Sequence, residues 1–241
     1  MDIKLTRYKK DLDHSYSLGV YPTLELLTYQ PEICLGVLLH AKGEKNQGVA
    51  KIRALCVEED IPVQEDNRLV ERIAQKGNTY AIGIFRKTRL ELDRNRNHVV
   101  LVNPMGMGNL GTIMRAMLGF GHQDLVIIEP AADLFDPRVV RASMGGLFQI
   151  RAASYEQFSD YWGSYPNHQL YPLMTDGAQA LPEISLEPPY ALIFGNESSG
   201  LPDEFHQYGS SLRIPQAGAI DSLNLALSVG ITLYQAWIAA P

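Results

Sequence analysis

The sequence predicts an α/β protein, with a mostly parallel sheet in its carboxyl-terminal half and a small α/β unit before it. VVLV, LVIIEP, YALIFG and LRIP are short and apolar at nearly every position, as strands buried on both faces are. Helix-like patterns separate several of them, so the strands are joined by crossovers and run parallel. With 241 residues and 46% hydrophobic content, the chain can bury the core such a sheet needs.

The elements follow in order. PTLELLTY and ICLGVLLH read as short apolar runs, NQGVAKIRALCVEED as a helix, IPV as a short strand, NRLVERIAQ as a helix and YAIGIF as a strand. The polar RKTRLELDRNRN reads as a linker or an edge strand. After it come VVLV, a glycine turn and an apolar helix, then the strands LVIIEP, LFQI, QLYPLM, YALIFG and LRIP. A polar turn leads into the last helix, with Asp221 or Ser222 placed to cap it. That apolar stretch, 223–240, is broken by Asn224, Ser228, Thr232 and Gln235, which suits a core helix rather than a membrane span. The division expected is 1–95 for the small unit with its linker and 96–241 for the larger domain. MDIKLTRYKK has no apolar stretch behind its charges, so no secretory signal is read and a cytoplasmic protein is expected.

Metal chemistry is not expected. Cys34 and Cys56 form no CxxC pair, and the six histidines show no HxxxH or HExxH spacing. The net charge of -6 argues mildly against a nucleic-acid partner until it is divided along the chain. Residues 1–97 carry 16 Lys+Arg against 14 Asp+Glu, and residues 98–241 carry 5 against 13, restoring the totals of 21 and 27. Arg86, Lys87, Arg89, Arg94 and Arg96 cluster before the boundary, with Arg7, Lys9 and Lys10 at the start. Such a cluster reads equally as a solvated face and as an RNA-facing patch.

GMGNLG, 106–111, poses the main question. A strand, a glycine-rich turn and a helix follow one another, with Glu129 about twenty residues past the second glycine, as in a dinucleotide site. Against that reading, Asn103, Pro104 and Met105 separate the strand from its first glycine, whereas a dinucleotide turn follows its strand directly. Arg115, among apolar helix residues, either snorkels to solvent or serves a ligand. GNESSG after YALIF and DSLN before the last helix are ordinary turns taken singly. Both fall where the ligand turns of an α/β sheet belong.

Asn109, Gly111 and Arg115 as NxGxxxR, IFGNESSG at 193–200 and RIPQAGAIDSLNLALSVGI at 213–231 resemble the three ordered motifs of the SpoU, or TrmH-like, branch of the SPOUT RNA methyltransferases. RASMGGLFQI at 141–150 is similar to the family's segment between the first two motifs. The resemblance runs from about residue 99 to the carboxyl terminus. It implies a carboxyl-terminal trefoil knot, a rare exception to unknotted topology. It also implies bound S-adenosylmethionine and a homodimer with its sites near the subunit interface. Carried over residue by residue, the cofactor turn comprises Phe194, Gly195, Asn196, Ile214, Gln216, Ser222 and Leu223. The implied catalytic set is Arg115, with Asn109, Glu197, Ser222 and Asn224 ordering the site around it.

The implied reaction is methyl transfer to a ribose 2′-hydroxyl of ribosomal or transfer RNA, with no metal and no membrane. A guanidinium stays protonated, so Arg115 is expected to grip phosphate and steady the developing oxyanion rather than accept a proton. Glu197 has a plain reading too, as a carboxylate that only holds its turn. The amino-terminal half resembles, in layout more than in letters, the family's small RNA substrate-binding domain. GNTYAIGIF lacks the usual His-Gln-Gly, which leaves the RNA target open, and Gln216 and Asp221 also depart from common family choices. Two other readings stand beside this one: a weakly catalytic RNA-binding or ribosome-assembly factor, and an NAD-dependent oxidoreductase built on GMGNLG.

Overall fold

The computed structural model describes residues 5–74, 78–88 and 90–239. The opening MDIK, Gln75 at the end of the predicted helix NRLVERIAQ, and Arg89 of the basic cluster lie outside the described residues. The chain divides into two compact units, one of Met1–Thr88 with Asp133–Gln149 and one of Arg89–Ala132 with Ile150–Pro241.

The first unit carries strand β1 (His14–Leu18), helix α1 (Val20–Tyr29), β2 (Cys34–Leu39), α2 (Gln47–Glu58), β3 (Val63–Glu65), α3 (Asn67–Ala74) and β4 (Ala81–Arg86). The sheet order is β1-β4-β2-β3; β4 is antiparallel to both neighbours and β2 is parallel to β3. Alternation along β2 sorts its side chains into two cores. Leu38 packs with Leu69, Val70 and Ile73 of α3, whereas Val37 and Leu39 pack with Leu27 of α1 and with Val49, Ile52 and Cys56 of α2. PTLELLTY, expected as a short apolar run beside the strands, is the body of α1: Pro22, Leu26 and Leu27 recur at helical spacing and are buried.

The second unit is built on β5 (His98–Val102), α4 (Met107–Gly119), β6 (Asp124–Ile128), β7 (Arg151–Tyr155), α6 (Phe158–Ser164), β8 (Gln169–Pro172), β9 (Gln179–Ala180), β10 (Tyr190–Phe194), β11 (Leu212–Arg213) and α7 (Leu225–Ile238). Helix α5 (Pro137–Ala142) belongs to the first unit. Five strands form a parallel sheet in the order β7-β6-β5-β10-β8, and β9 pairs with β11 in a small parallel ladder. The strands β5, β6 and β10 are buried at every position. Val100 and Val102 face a core with Phe158, Tyr161 and Phe205, so the equally buried Val99 and Leu101 face the other side.

Two expectations fail here. LFQI is no strand but lies in a three-ten turn, Gly146–Gln149, where the Gln30 side chain donates to the Phe148 carbonyl at 2.9 Å. The strand is the following RAASY, missed because its burial is partial and its residues are small. The last helix is capped by neither Asp221 nor Ser222: the Asn224 side chain accepts from the N–H groups of Ala226 (3.0 Å) and Leu227 (3.3 Å). Among the described residues no helix is long and apolar enough to cross a membrane.

Candidate active site

The strand order reverses between β5 and β10, so the turns leaving their carboxyl ends lie side by side, where open α/β sheets hold ligands. Asn103, at φ 52°, begins the first turn and donates from its side chain to the Glu129 carbonyl at 2.7 Å. The Asn196 side chain, from the second turn, donates to the Asn103 carbonyl at 2.7 Å and stitches the two turns together. The second turn closes so tightly that a Cβ on Gly195 would lie 2.0 Å from the Gly200 carbonyl carbon. Only glycine fits there.

Glu197 reaches from the second turn to the start of α4. It accepts from Gly106 N–H at 2.7 Å, Met105 N–H at 3.1 Å and the Asn109 amide at 3.1 Å. The Asn109 carbonyl oxygen in turn accepts from the Asn224 amide at 3.2 Å, and Asn224 caps α7. Glu197, Asn109 and Asn224 thus form one hydrogen-bonded chain across three elements distant in sequence. Burial alone would raise the Glu197 carboxyl, but donation by Met105, its own N–H, Asn109 and Gly106 outweighs that and holds it below the usual carboxylate value.

A cavity of about 250 Å³ opens beside this chain. All seven residues assigned to the cofactor turn line it: Phe194, Gly195, Asn196, Ile214, Gln216, Ser222 and Leu223. Glu197 lines it too, as do Leu173, Met174, Thr175 and Ser228, which the sequence reading did not single out. The first three follow β8, the neighbour of β10, and the signal available was their place just past a strand end. Asn109, Asn224 and Arg115 are not in the lining. Arg115 stands exposed on α4 without a side-chain partner among the described residues.

This geometry disposes of the dinucleotide reading. A pyrophosphate would need the amino terminus of α4, and the Glu197 carboxylate already holds those N–H groups. The cavity wall contains no Lys or Arg and includes the carboxylates of Glu197 and Asp221.

Residues 96–234 match the profile of the SpoU rRNA Methylase family. The chain belongs to this family. Among its relatives, the 23S rRNA (adenosine(1067)-2′-O)-methyltransferase of Streptomyces azureus is 29% identical over 192 residues, 75% of this chain and 71% of that protein. Among solved structures, the AdoMet-bound rRNA methyltransferase from Sinorhizobium meliloti is 25% identical, with a TM-score of 0.77 over 93% of this chain and 87% of its own. The SpoU methyltransferase AviRb from Streptomyces viridochromogenes, solved with AdoMet, shares the fold at a TM-score of 0.81 and 22% identity, over 94% of this chain and 90% of its own. The SpoU segment thus contains both turns, the cavity and the Glu197 chain.

Proposed function

We propose that this protein transfers a methyl group from S-adenosylmethionine to a ribose 2′-hydroxyl of ribosomal or transfer RNA. The observation that carries the reading is the convergence, within the SpoU segment, of the Glu197–Asn109–Asn224 chain and the cavity beside it. The cavity suits the cofactor chemically. Apolar Phe194, Ile214 and Leu223, amide and hydroxyl groups, and two carboxylates with no cationic side chain favour a nucleoside bearing positive charge over a polyanion. Phe194, Gly195, Asn196, Ile214, Gln216, Ser222 and Leu223 would hold it. When bound, S-adenosylmethionine supplies an electrophilic methyl group on a sulfonium.

The chain's own residues do the rest. Arg115 binds an RNA phosphate and steadies negative charge on the ribose oxygen as its proton passes to solvent water. Asn109 and Asn224 are fixed by the chain described above, and Glu197, kept ionised, anchors it. Ser222 is exposed at the cavity rim, free to orient substrate or cofactor. The family's trefoil knot belongs to the same proposal, supported by β10 lying between β5 and β8 and by the return of residues 214–223 to the wall formed by the β10 turn.

So does a homodimer. Leu227, Tyr234, Trp237 and Ile238 of α7 are about half exposed, and Phe120 packs against Tyr234 and Trp237, an apolar strip that a second copy would cover. We assign residues 1–95 to RNA substrate binding, residues 96–241 to methyl transfer, and the activity to the cytoplasm. A weakly catalytic assembly factor has no need of Arg115 and Asn224, and the sequence keeps both. The test is transfer of tritium from labelled S-adenosylmethionine to RNA of a strain lacking the gene, beside Arg115→Ala. Label from the intact protein and a loss of at least a hundredfold in the variant are expected; equal transfer by both would remove Arg115 from the mechanism.

A further inference from the structure

The acidic half of the chain holds the observation. From residue 98 onward there are five basic residues, all arginines, against thirteen carboxylates. Three already have partners within the chain. Arg151 pairs with the buried Asp124, Arg138 makes a two-pronged pair with Asp136 at 2.9 and 2.8 Å, and Arg213 donates to the Gly177 carbonyl at 2.7 Å and to that of Ala178 at 3.2 Å. Only Arg115 and Arg141 are exposed with no side-chain partner among the described residues. Arg141, which folds with the first unit, is thus one of only two arginines of residues 98–241 left free among the described residues to hold a polyanion.

Arg141 is also firmly presented. It lies in the last turn of α5, and its carbonyl accepts from Met144 N–H at 3.0 Å. Ser143 is buried, and its hydroxyl donates to the Val140 carbonyl at 2.9 Å. Gly145, at φ 83°, donates its N–H to the Val140 carbonyl at 3.1 Å, and a Cβ there would lie 2.6 Å from Glu25 Cβ of α1. Met144 keeps a left-handed backbone, φ 55°, which is costly for a non-glycine residue, and its side chain stays exposed. The turn is therefore fixed by its own hydrogen bonds and by α1, while the guanidinium it carries is left unpaired.

We infer that Arg141 is a second RNA-binding arginine, gripping a backbone phosphate of the methyl acceptor from the RASMGG turn. This rests on the methyl-transfer reading and adds a positioning residue to it. With the backbone already fixed, only the arginine's own rotamers are ordered when it binds a phosphate, and the contact carries no sequence preference. Arg138, three residues earlier on the same helix but neutralised by Asp136, is the internal control.

The experiment measures methyl transfer from tritiated S-adenosylmethionine as a function of RNA concentration at two salt concentrations, for the wild type, Arg141→Gln and Arg138→Gln. The RNA is total RNA from a strain lacking the gene. Binding of that RNA and of S-adenosylmethionine is followed separately, and thermal unfolding confirms that each variant is folded. Arg141→Gln is expected to raise the KM for RNA roughly tenfold. It should also reduce the salt slope of RNA binding by about one and leave cofactor binding unchanged. Arg138→Gln should stay near wild type.

An unchanged KM and salt slope in Arg141→Gln, with the wild type active, would overturn the inference. Equal losses in both variants would overturn it too, since a general charge effect would then suffice. If the wild type transferred no methyl group yet bound RNA in an Arg141-dependent way, the methyl-transfer reading would fall while the RNA contact stood.

Discussion

The parallel sheet has a polar cluster at each end, and the two are built on opposite plans. At the amino ends of the strands, His98 begins β5, Asp124 begins β6 and Arg151 begins β7, and the register sets them side by side. Arg151 donates to both oxygens of the fully buried Asp124, which also accepts from Asp93 N–H at 2.9 Å. The His98 ring accepts from the Tyr161 hydroxyl at 3.0 Å and donates to the Asp93 carbonyl at 2.9 Å, and the His168 ring donates to the Arg96 carbonyl at 2.9 Å. His122 donates to the Phe120 carbonyl and accepts from the Tyr190 hydroxyl, each at 3.0 Å. At the carboxyl ends, Glu197 is half-buried, Ser222 is exposed, and a cavity adjoins both. Polar groups at one end are spent on holding strands together; those at the other are held in place but left accessible. Polarity alone therefore does not mark a site. Accessibility beside ordered polar groups does.

The largest effect that would sharpen this contrast is expected from Asp124→Ala. It leaves the Arg151 guanidinium, three-quarters buried, without its partner, and should cost about 3 kcal/mol in urea unfolding. The folded variant should still be stabilised by S-adenosylmethionine, since the cavity is at the other end. Loss of cofactor response at full folding would show that the two ends are not independent.

Acid should act on the two ends in sequence. Burial lowers His98 from 6.5 to about 4, and His122 and His168 also lie below the ordinary value because of burial. A depressed histidine means that the unfolded chain takes up protons first. Stability should therefore fall as pH drops from about 6.5 to 4, by about 3 kcal/mol from His98 alone. Glu197 acts later: its contribution is present above the unfolded value of 4.5 and is lost as pH falls through its lower folded value. Urea midpoints at pH 7, 5.5 and 4.5 measure the first window, and His98→Gln should flatten it. A constant midpoint between pH 7 and 5 would show that these rings are not buried neutral.

Glu197→Gln comes next. The amide sets an N–H₂ against one of the N–H groups that the carboxylate now receives, and should cost about 1–2 kcal/mol of stability. Methyl transfer by the folded fraction should drop at least tenfold, because Asn109 loses its anchor. A stability loss with full turnover would reduce Glu197 to a turn-holding residue. Asn224→Ala should have the smallest effect on stability, about 1 kcal/mol for the lost cap, and a clear loss of turnover through Asn109.

How much the sequence disclosed depended on the range of the interactions. Runs such as VVLV, LVIIEP and YALIFG announced buried parallel strands because burial on both faces leaves an unbroken apolar signature. RAASY did not, being half-exposed, and LFQI imitated a strand because its apolar residues serve a turn packed by Gln30, more than a hundred residues away. The gathering of Phe194, Gly195, Asn196, Ile214, Gln216, Ser222 and Leu223 around one cavity was legible through motif order. Their closeness to Asn109 was not, for the Glu197–Asn109 bond spans 88 residues and no local pattern encodes it. GMGNLG kept a dinucleotide alternative open for the same reason: the acid that fills its helix start is supplied from the far side of the sequence.

The most direct measurement is the chemical position of the transferred methyl group. RNA labelled by this protein from tritiated S-adenosylmethionine would be hydrolysed in alkali, which cleaves wherever a free 2′-hydroxyl can attack the neighbouring phosphate. Transfer to a ribose 2′-hydroxyl predicts label in alkali-resistant dinucleotides. Label released wholly in mononucleotides would place the methyl group on a base and contradict ribose methylation.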